Sequence, residues 1–168
     1  MWTTRIRPSS LTPSNTHPEV PGAAQSAYSR SENQAAILAL GLSRATHLRG
    51  VPQLIDGFDG FVFVTPEYNH STTGVLKNAI DYLYAEWNNK AAGFVGYGVV
   101  GAARAVEHLR LIAAELQLAT VRSQVALSFY TDFENFTTLT PGAHQFDALS
   151  ATLDQVVAWS DALAVLRK

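Results

Sequence analysis

The sequence predicts an α/β fold in three layers, a parallel β-sheet with helices on both faces. Two observations carry this prediction. Phe61-Val62-Phe63-Val64 is an uninterrupted apolar run, the pattern of a strand buried on both faces, as in parallel sheets. Strand, loop and amphipathic helix then succeed one another three times between Gly60 and Arg167, and right-handed crossovers between such units place their helices on the faces of one sheet. A third observation bounds the prediction. Residues 1–50 contain no Asp, Lys or Phe, and carry five Arg against two Glu, formally +3; residues 51–168 carry seven basic and twelve acidic residues, formally −5. The chain therefore divides into an atypical arm, 1–50, and an α/β domain, 51–168.

Taken in order, Pro8, Pro13, Pro18, Pro21 and Gly22 lie among Ser and Thr with no apolar periodicity, which predicts a disordered or extended arm as far as Arg30. Ser31 can cap a helix containing Ala35, Ala36, Ile37, Leu38, Ala39, Leu40 and Leu42, and Pro52 is expected to stop any continuation into Leu54 and Ile55. The first domain strand covers Gly60 to Thr65. A polar loop, Thr65 to Ser71, leads to a helix with Val75, Leu76, Ala79, Ile80 and Leu83 on one face, capped by Ser71, Thr72 or Thr73. The second unit has a strand at Ala91 to Val95, a glycine-rich turn at Gly96 to Gly101, and a helix facing inward with Ala105, Leu109, Ile112 and Leu116. A third strand covers Thr120 to Phe129. Phe146, Leu149, Leu153, Val156, Val157, Leu163 and Leu166 mark the apolar face of a final helix.

Composition narrows the function classes. A length of 168 residues is one domain's worth. Without cysteine there is no disulfide, thiolate metal site or cysteine nucleophile, so redox chemistry requires a bound cofactor. Lys and Arg nowhere form a run that could follow a phosphate backbone, and nucleic acid is not an expected partner. No stretch reaches the 18 apolar residues of a membrane span and no signal peptide pattern opens the chain; a cytoplasmic protein without membrane attachment is the expectation. Only 15% of residues are charged against 47% hydrophobic, which favours self-association.

Parallel sheets bind ligands at the carboxyl ends of their strands, which directs attention to Thr65–Ser71 and Gly96–Gly101. The run Val64-Thr65-Pro66-Glu67-Tyr68-Asn69-His70-Ser71, followed by Gly74 and Leu76-Lys77-Asn78-Ala79-Ile80-Asp81, resembles the flavin loop and following helix of NADPH-dependent FMN reductases. The resemblance continues through Glu86-Trp87-Asn88-Asn89-Lys90, Tyr97-Gly98, Arg104-Ala105-Val106-Glu107 and the stretch Leu116 to Leu127, covering about Ile55 to Arg167. It implies a flavodoxin-like fold and FMN as cofactor, with NADPH or NADH as electron donor. It further implies a quinone, flavin or similar small-molecule electron acceptor, and a homodimer or homotetramer. Pro66, Glu67, Tyr68 and Asn69 would border the flavin, with Tyr97, Gly98, Val99 and Gly101 along its pyrimidine edge. Hydride transfer depends on positioning, so no catalytic acid or base is nominated. The family carries Ser where this chain has Gly96, Gly where it has Ala102, and Pro where it has Thr73. Its opening strand and Gly-Ser-x-Arg-x-x-Ser phosphate loop have no match in residues 1–50; Thr4 to Ser10 shares residue types but follows no apolar strand.

Other readings attach to the same residues. Gly96-x-Gly98-x-x-Gly101 satisfies the dinucleotide fingerprint of a Rossmann enzyme, although about 20 positions on from Gly101 stands Val121, and the next acid is Asp132. Simple packing glycines are the plainer reading. Glu67 as a general base competes with a carboxylate bonded to nearby main chain. His70, His108 and His144 show no metal-ligand spacing. Arg104 and Glu107 suit an i, i+3 pair. Tyr82, Tyr84 and Trp87 suit a substrate pocket or a core or subunit contact. A flavin-free dimerisation or interaction module on the same fold is the alternative to an enzyme.

Overall fold

The computed structural model describes residues 51–167 in full and residues 35–38 as backbone. The proline-rich segment through Arg30, the phosphate-loop candidate Thr4 to Ser10, and most of the helix expected after Ser31 lie outside these residues. The elements are β1 (Ala35–Leu38), α1 (Val51–Asp56), β2 (Gly60–Pro66), α2 (Gly74–Asp81), a 3₁₀ turn (Ala85–Trp87), β3 (Ala91–Gly98), α3 (Ala103–Glu115), β4 (Ala119–Ser128), β5 (Phe133–Glu134), β6 (Thr138–Leu139), α4 (Ala143–Leu163) and a second 3₁₀ turn (Ala164–Leu166). Strands β1-β2-β3-β4 form one sheet in that order, every pair parallel. The three predicted strands are thus parallel neighbours.

One expectation near the start is corrected. Ala35–Leu38 is a strand, paired with Gly60 to Phe63, because parallel pairing with a buried neighbour outweighs the helix propensity of four Ala, Ile and Leu residues. Pro52 stands second in α1, a helix that begins at Val51, where its missing N–H has no intrahelical partner to lose. Lys90 closes the other end of that helix. Its buried ammonium donates to the carbonyl oxygens of Ile55 at 2.8 Å and Asp56 at 3.0 Å, a cation on the orphan carbonyls of a helix C-terminus. Burial lowers the Lys90 pKa, and Asp56 opposes that effect.

Alternation along β2 and β3 gives the sheet two unlike faces. Phe61, Phe63, Ala92 and Phe94 meet α2, α3 and Trp87 in the main core, with Leu76, Ile80, Val106 and Leu109. Trp87 lies edge-on to Phe61 at 5.0 Å and its indole N–H donates to Ile80 O at 3.1 Å. The opposite face presents Gly60, Ala91 and Gly93 to α4. A Cβ on Gly93 would stand 2.7 Å from Thr152 Cγ2, and one on Gly60 would stand 2.4 Å from Ser160 Oγ.

The close approach changes which side of α4 is buried. Gln145, Thr152, Val156 and Ser160 face inward, while Phe146 and Leu166, expected in the core, are exposed. Between β3 and β4 the register shifts after Ala92, where Thr120 is followed by Gln124 as the next but one partner. Arg110 bridges that irregularity, donating to Val121 O at 2.6 Å and Arg122 O at 3.2 Å, so carbonyls that leave the ladder keep partners.

Candidate functional site

The loops that follow β2 and β3 leave the sheet side by side. Pro66 is in register with Tyr97, and Gly98 with Ser128, so three chain segments emerge at neighbouring strand spacings, about 4.8 Å apart. After Pro66 the chain makes a tight reversal. Tyr68 N donates to Ser71 O at 2.9 Å and Ser71 N to Tyr68 O at 3.1 Å, with Asn69 at φ 49° and His70 at φ 69° between them. Positive φ at both central residues is the type I′ pattern, in which Asn is common at the first position and glycine is preferred at the second, where this chain has His. Thr73 then caps α2 by accepting from Leu76 N at 3.1 Å, one of the three capping residues expected. At the turn Tyr68 is 63% exposed. Tyr97 is half-buried beside it; burial raises its pKa, and the neighbouring Tyr68 adds to the rise.

Glu67 is not free to act as a base. Its carboxylate accepts the Arg104 main-chain N–H at 3.2 Å and pairs with the Arg104 guanidinium, leaving the side chain 8% exposed. The expected Arg104–Glu107 pair is accordingly replaced: Arg104 serves Glu67, and Glu107 pairs with Arg110 at 3.5 Å. A second link joins the same helix to the loop, where Ser71 Oγ and His108 Nδ1 lie 2.8 Å apart.

The glycines of the second loop have separate tasks. β3 continues to Gly98, so Gly96 belongs to the strand and the turn occupies Val99 to Ala102. A Cβ at Gly96 would stand 2.4 Å from Gly101 O and 2.9 Å from Ala102 Cβ, and one at Gly101 (φ 62°) would stand 2.7 Å from Ala126 Cβ. These two glycines are packing glycines. The two departures from the family pattern at 96 and 102 are neighbours in space, the Ala102 methyl taking room that a side chain at 96 would need. Gly98, at φ +156°, ends β3 as a buried residue, where a Cβ would meet Glu67 and Ala102 N at ordinary contact distances of 3.7–3.9 Å. The Rossmann reading does not survive this geometry. A dinucleotide's pyrophosphate would need the amino end of α3, and there the chain's own Glu67 occupies the Arg104 N–H.

Val99 and Val100 are half-exposed at the edge, and the Val99 carbonyl accepts from Ser128 Oγ at 3.0 Å. Beyond it the β5–β6 hairpin turns through Asn135 and Phe136, both at positive φ, and exposed Tyr130 meets Phe136 edge-on at 5.8 Å. Neither aromatic carries a sequence signal, since each depends on how the chain turns after β4. Asp132 was likewise not foreseen as a structural centre. Fully buried, it accepts from Ser128 N at 2.9 Å, Thr131 Oγ1 at 2.9 Å, Gln145 Nε2 at 3.2 Å and Gly142 N at 3.4 Å. Burial alone would raise its pKa; the hydrogen bonds, Ser128 foremost, outweigh burial and lower it.

Trp87 belongs to the core, whereas Tyr82 and Tyr84 are each 55% exposed. His70 and His144 are exposed. Among the described residues no three His, Asp or Glu side chains gather as a metal site, and no helix is long and apolar enough to cross a membrane.

Comparison with known proteins agrees with the local reading. The family model for NADPH-dependent FMN reductase matches residues 28–132. An NAD(P)H-dependent FMN reductase of Schizosaccharomyces pombe is 36% identical over 96 residues, covering 57% of this chain and 48% of that protein. A 2-hydroxy-1,4-benzoquinone reductase of a Burkholderia species is 40% identical over 77 residues, 42% of each chain. Among solved structures, the flavoenzyme NAD(P)H:(acceptor) oxidoreductase FerB of Paracoccus denitrificans superposes with a TM-score of 0.53 at 25% identity, covering 68% of each chain. The chain spans about half the length of the curated relatives it matches.

Proposed function

Because the chain belongs to the NADPH-dependent FMN reductase family, we propose that it binds FMN and passes electrons from NADPH or NADH to a quinone, a flavin or a similar small acceptor. The observation that supports this most directly is the joining of Pro66–Asn69 and Tyr97–Gly101 on one strand-end edge, through the Pro66–Tyr97 register. A flat tricyclic ring needs an apolar or aromatic wall, main-chain donors and room for close approach. Tyr68 and Val99 supply exposed apolar surface, and the turn at Asn69 and His70 supplies main chain. The amino end of α2, capped by Thr73, borders the same edge and favours electron-rich groups.

FMN supplies the redox chemistry when bound, taking a hydride from the reduced nicotinamide and returning two electrons to the acceptor, with protons exchanged with solvent. The protein's part is to hold the donor and acceptor faces in line. Glu67 serves this by fixing the loop, its carboxylate already engaged by Arg104. The relatives' names point to quinones as one acceptor class, and the exposed Tyr130–Phe136 pair beyond Val99 offers aromatic surface for a flat acceptor. A homodimer or larger homo-oligomer fits the exposed Tyr82, Tyr84, Phe146 and Trp159; sedimentation that shows only single chains at tens of micromolar would count against it.

The test is direct. Purified protein is expected to be yellow or to quench FMN fluorescence on titration, and to oxidise NADPH or NADH in the presence of a benzoquinone. Asn69→Ala is expected to weaken FMN binding by about one hydrogen bond, roughly 0.5–1.5 kcal/mol, with little loss of fold stability. Colourless protein that fails to bind added FMN would instead indicate a flavin-free interaction module.

A further inference from the structure

The Tyr68–Ser71 turn has a side chain, His70, at the position where glycine is the preferred residue. Asn69 and His70 both sit at positive φ, a pairing that glycine at the second position would adopt freely and that His adopts at a cost. Such backbone persists only where its surroundings over-determine it. Here the surroundings are two side chains of one helix. Arg104 binds the carboxylate of Glu67, the residue just before the turn, and His108 bonds Ser71, the residue that closes it. Four residues apart on α3, Arg104 and His108 share a helix face, so the helix grips the turn on both sides.

We infer that α3 acts as a clamp that sets the geometry of the flavin loop, and that His108 is a positioning residue for the flavin ring. The second part rests on the reading that this loop binds FMN; the first does not. The two grips differ in how they can be tested. Glu67 is almost fully buried, so removing Arg104 strands a carboxylate away from water and threatens the fold. The His108–Ser71 bond is exposed, and its loss leaves no buried group unsatisfied. A serine hydroxyl both donates and accepts, so the bond forms with either tautomer of the imidazole.

The experiment compares wild type, His108→Ala, His108→Gln and the pair His108→Ala/His70→Gly. Hydrogen exchange of the peptide covering residues 65–74, measured without flavin, reports the loop itself. Faster exchange in His108→Ala with an unchanged Tm is expected, since the Ser71 and Tyr68 amides lose the anchor that keeps the turn closed. FMN affinity is expected to fall roughly 2- to 12-fold, the equivalent of one hydrogen bond, and to recover in part in His108→Gln, whose amide can reach Ser71. Glycine at position 70 removes the strain, so the His108→Ala effect on exchange is expected to shrink in the double variant. Exchange that is identical in wild type and His108→Ala overturns the clamp. If the loop loosens but wild type binds no FMN, the clamp stands and the flavin reading falls. If FMN binds equally well to wild type and to a loosened His108→Ala, the positioning role of His108 is overturned.

Discussion

The two faces of the sheet are built on opposite principles. One buries large aromatics, Phe61, Phe63 and Phe94 against Trp87, and the helices above it stand off at the distance those rings require. The other offers Gly60, Ala91 and Gly93, and α4 descends until Thr152, Val156 and Ser160 touch the sheet's own backbone. Apolar area stabilises the first face and close fit the second. The lesson is that the same strands, alternating large and small, set two helix distances at once. A helix with only one buried valine among its inward residues can still be held firmly.

Truncation should separate the two. Trp87→Ala removes the largest fully buried side chain and is expected to cost about 3–5 kcal/mol, read as the shift in urea midpoint. Should the aromatic face instead tolerate it with less than about 1 kcal/mol lost, that face would not depend on its rings.

Addition should injure the other face. Gly93→Ala drives a methyl group to 2.7 Å from Thr152 Cγ2, and overpacking of this kind costs roughly 1–3 kcal/mol. Thr152→Ser removes the opposing methyl, so the double variant is expected to regain a good part of the loss. No recovery would mean that α4 is held off by something besides that contact.

The third test concerns what ties α4 to the sheet. Asp132 accepts only donors, among them Gly142 N and Gln145 Nε2 at the start of α4, so an amide in its place would set N–H against N–H. Asp132→Asn is expected to cost about 1–3 kcal/mol. The pH dependence has a definite sign. With its folded pKa lowered, the carboxylate contributes stability above its unfolded pKa, about 3.9, and the contribution is lost as pH falls through the folded value below that. Tm measured from neutral pH into this acid range should therefore fall more steeply for wild type than for Asp132→Asn.

The smallest effect belongs to Ser160, whose buried hydroxyl has no hydrogen-bond partner. Ser160→Ala is expected to be neutral or slightly stabilising, by up to about 1 kcal/mol, because it removes an unsatisfied polar atom. A clear loss in thermal unfolding would show that the hydroxyl has a partner, such as a bound water.

Much of this was readable in the chain itself. Phe61 to Val64 announced a buried strand without help from the rest of the fold, because burial on both faces writes a continuous apolar run. The presence of a loop after each of β2 and β3 was likewise legible from local order, strand before and helix after, although β3 runs on to Gly98 where a turn from Gly96 was expected. The readings that failed depended on partners distant in sequence. Ala35–Leu38 reads as helix locally, and only pairing with Gly60–Phe63 makes it a strand. Arg104 has an acid three residues away, yet its partner stands 37 residues earlier.

Sequence alone, then, determined the succession of the three long strands and three helices between residues 60 and 163, though not the β5–β6 hairpin, since hydrophobic periodicity and capping act over a few residues. Tertiary structure decided which face of α4 is buried, which carboxylate Arg104 binds, which end of the Tyr68–Ser71 turn His108 holds, and that Gly96 and Gly101 pack against neighbouring backbone. Those outcomes turn on distances of closest approach between segments far apart in the chain, and no local pattern encodes a distance of that kind.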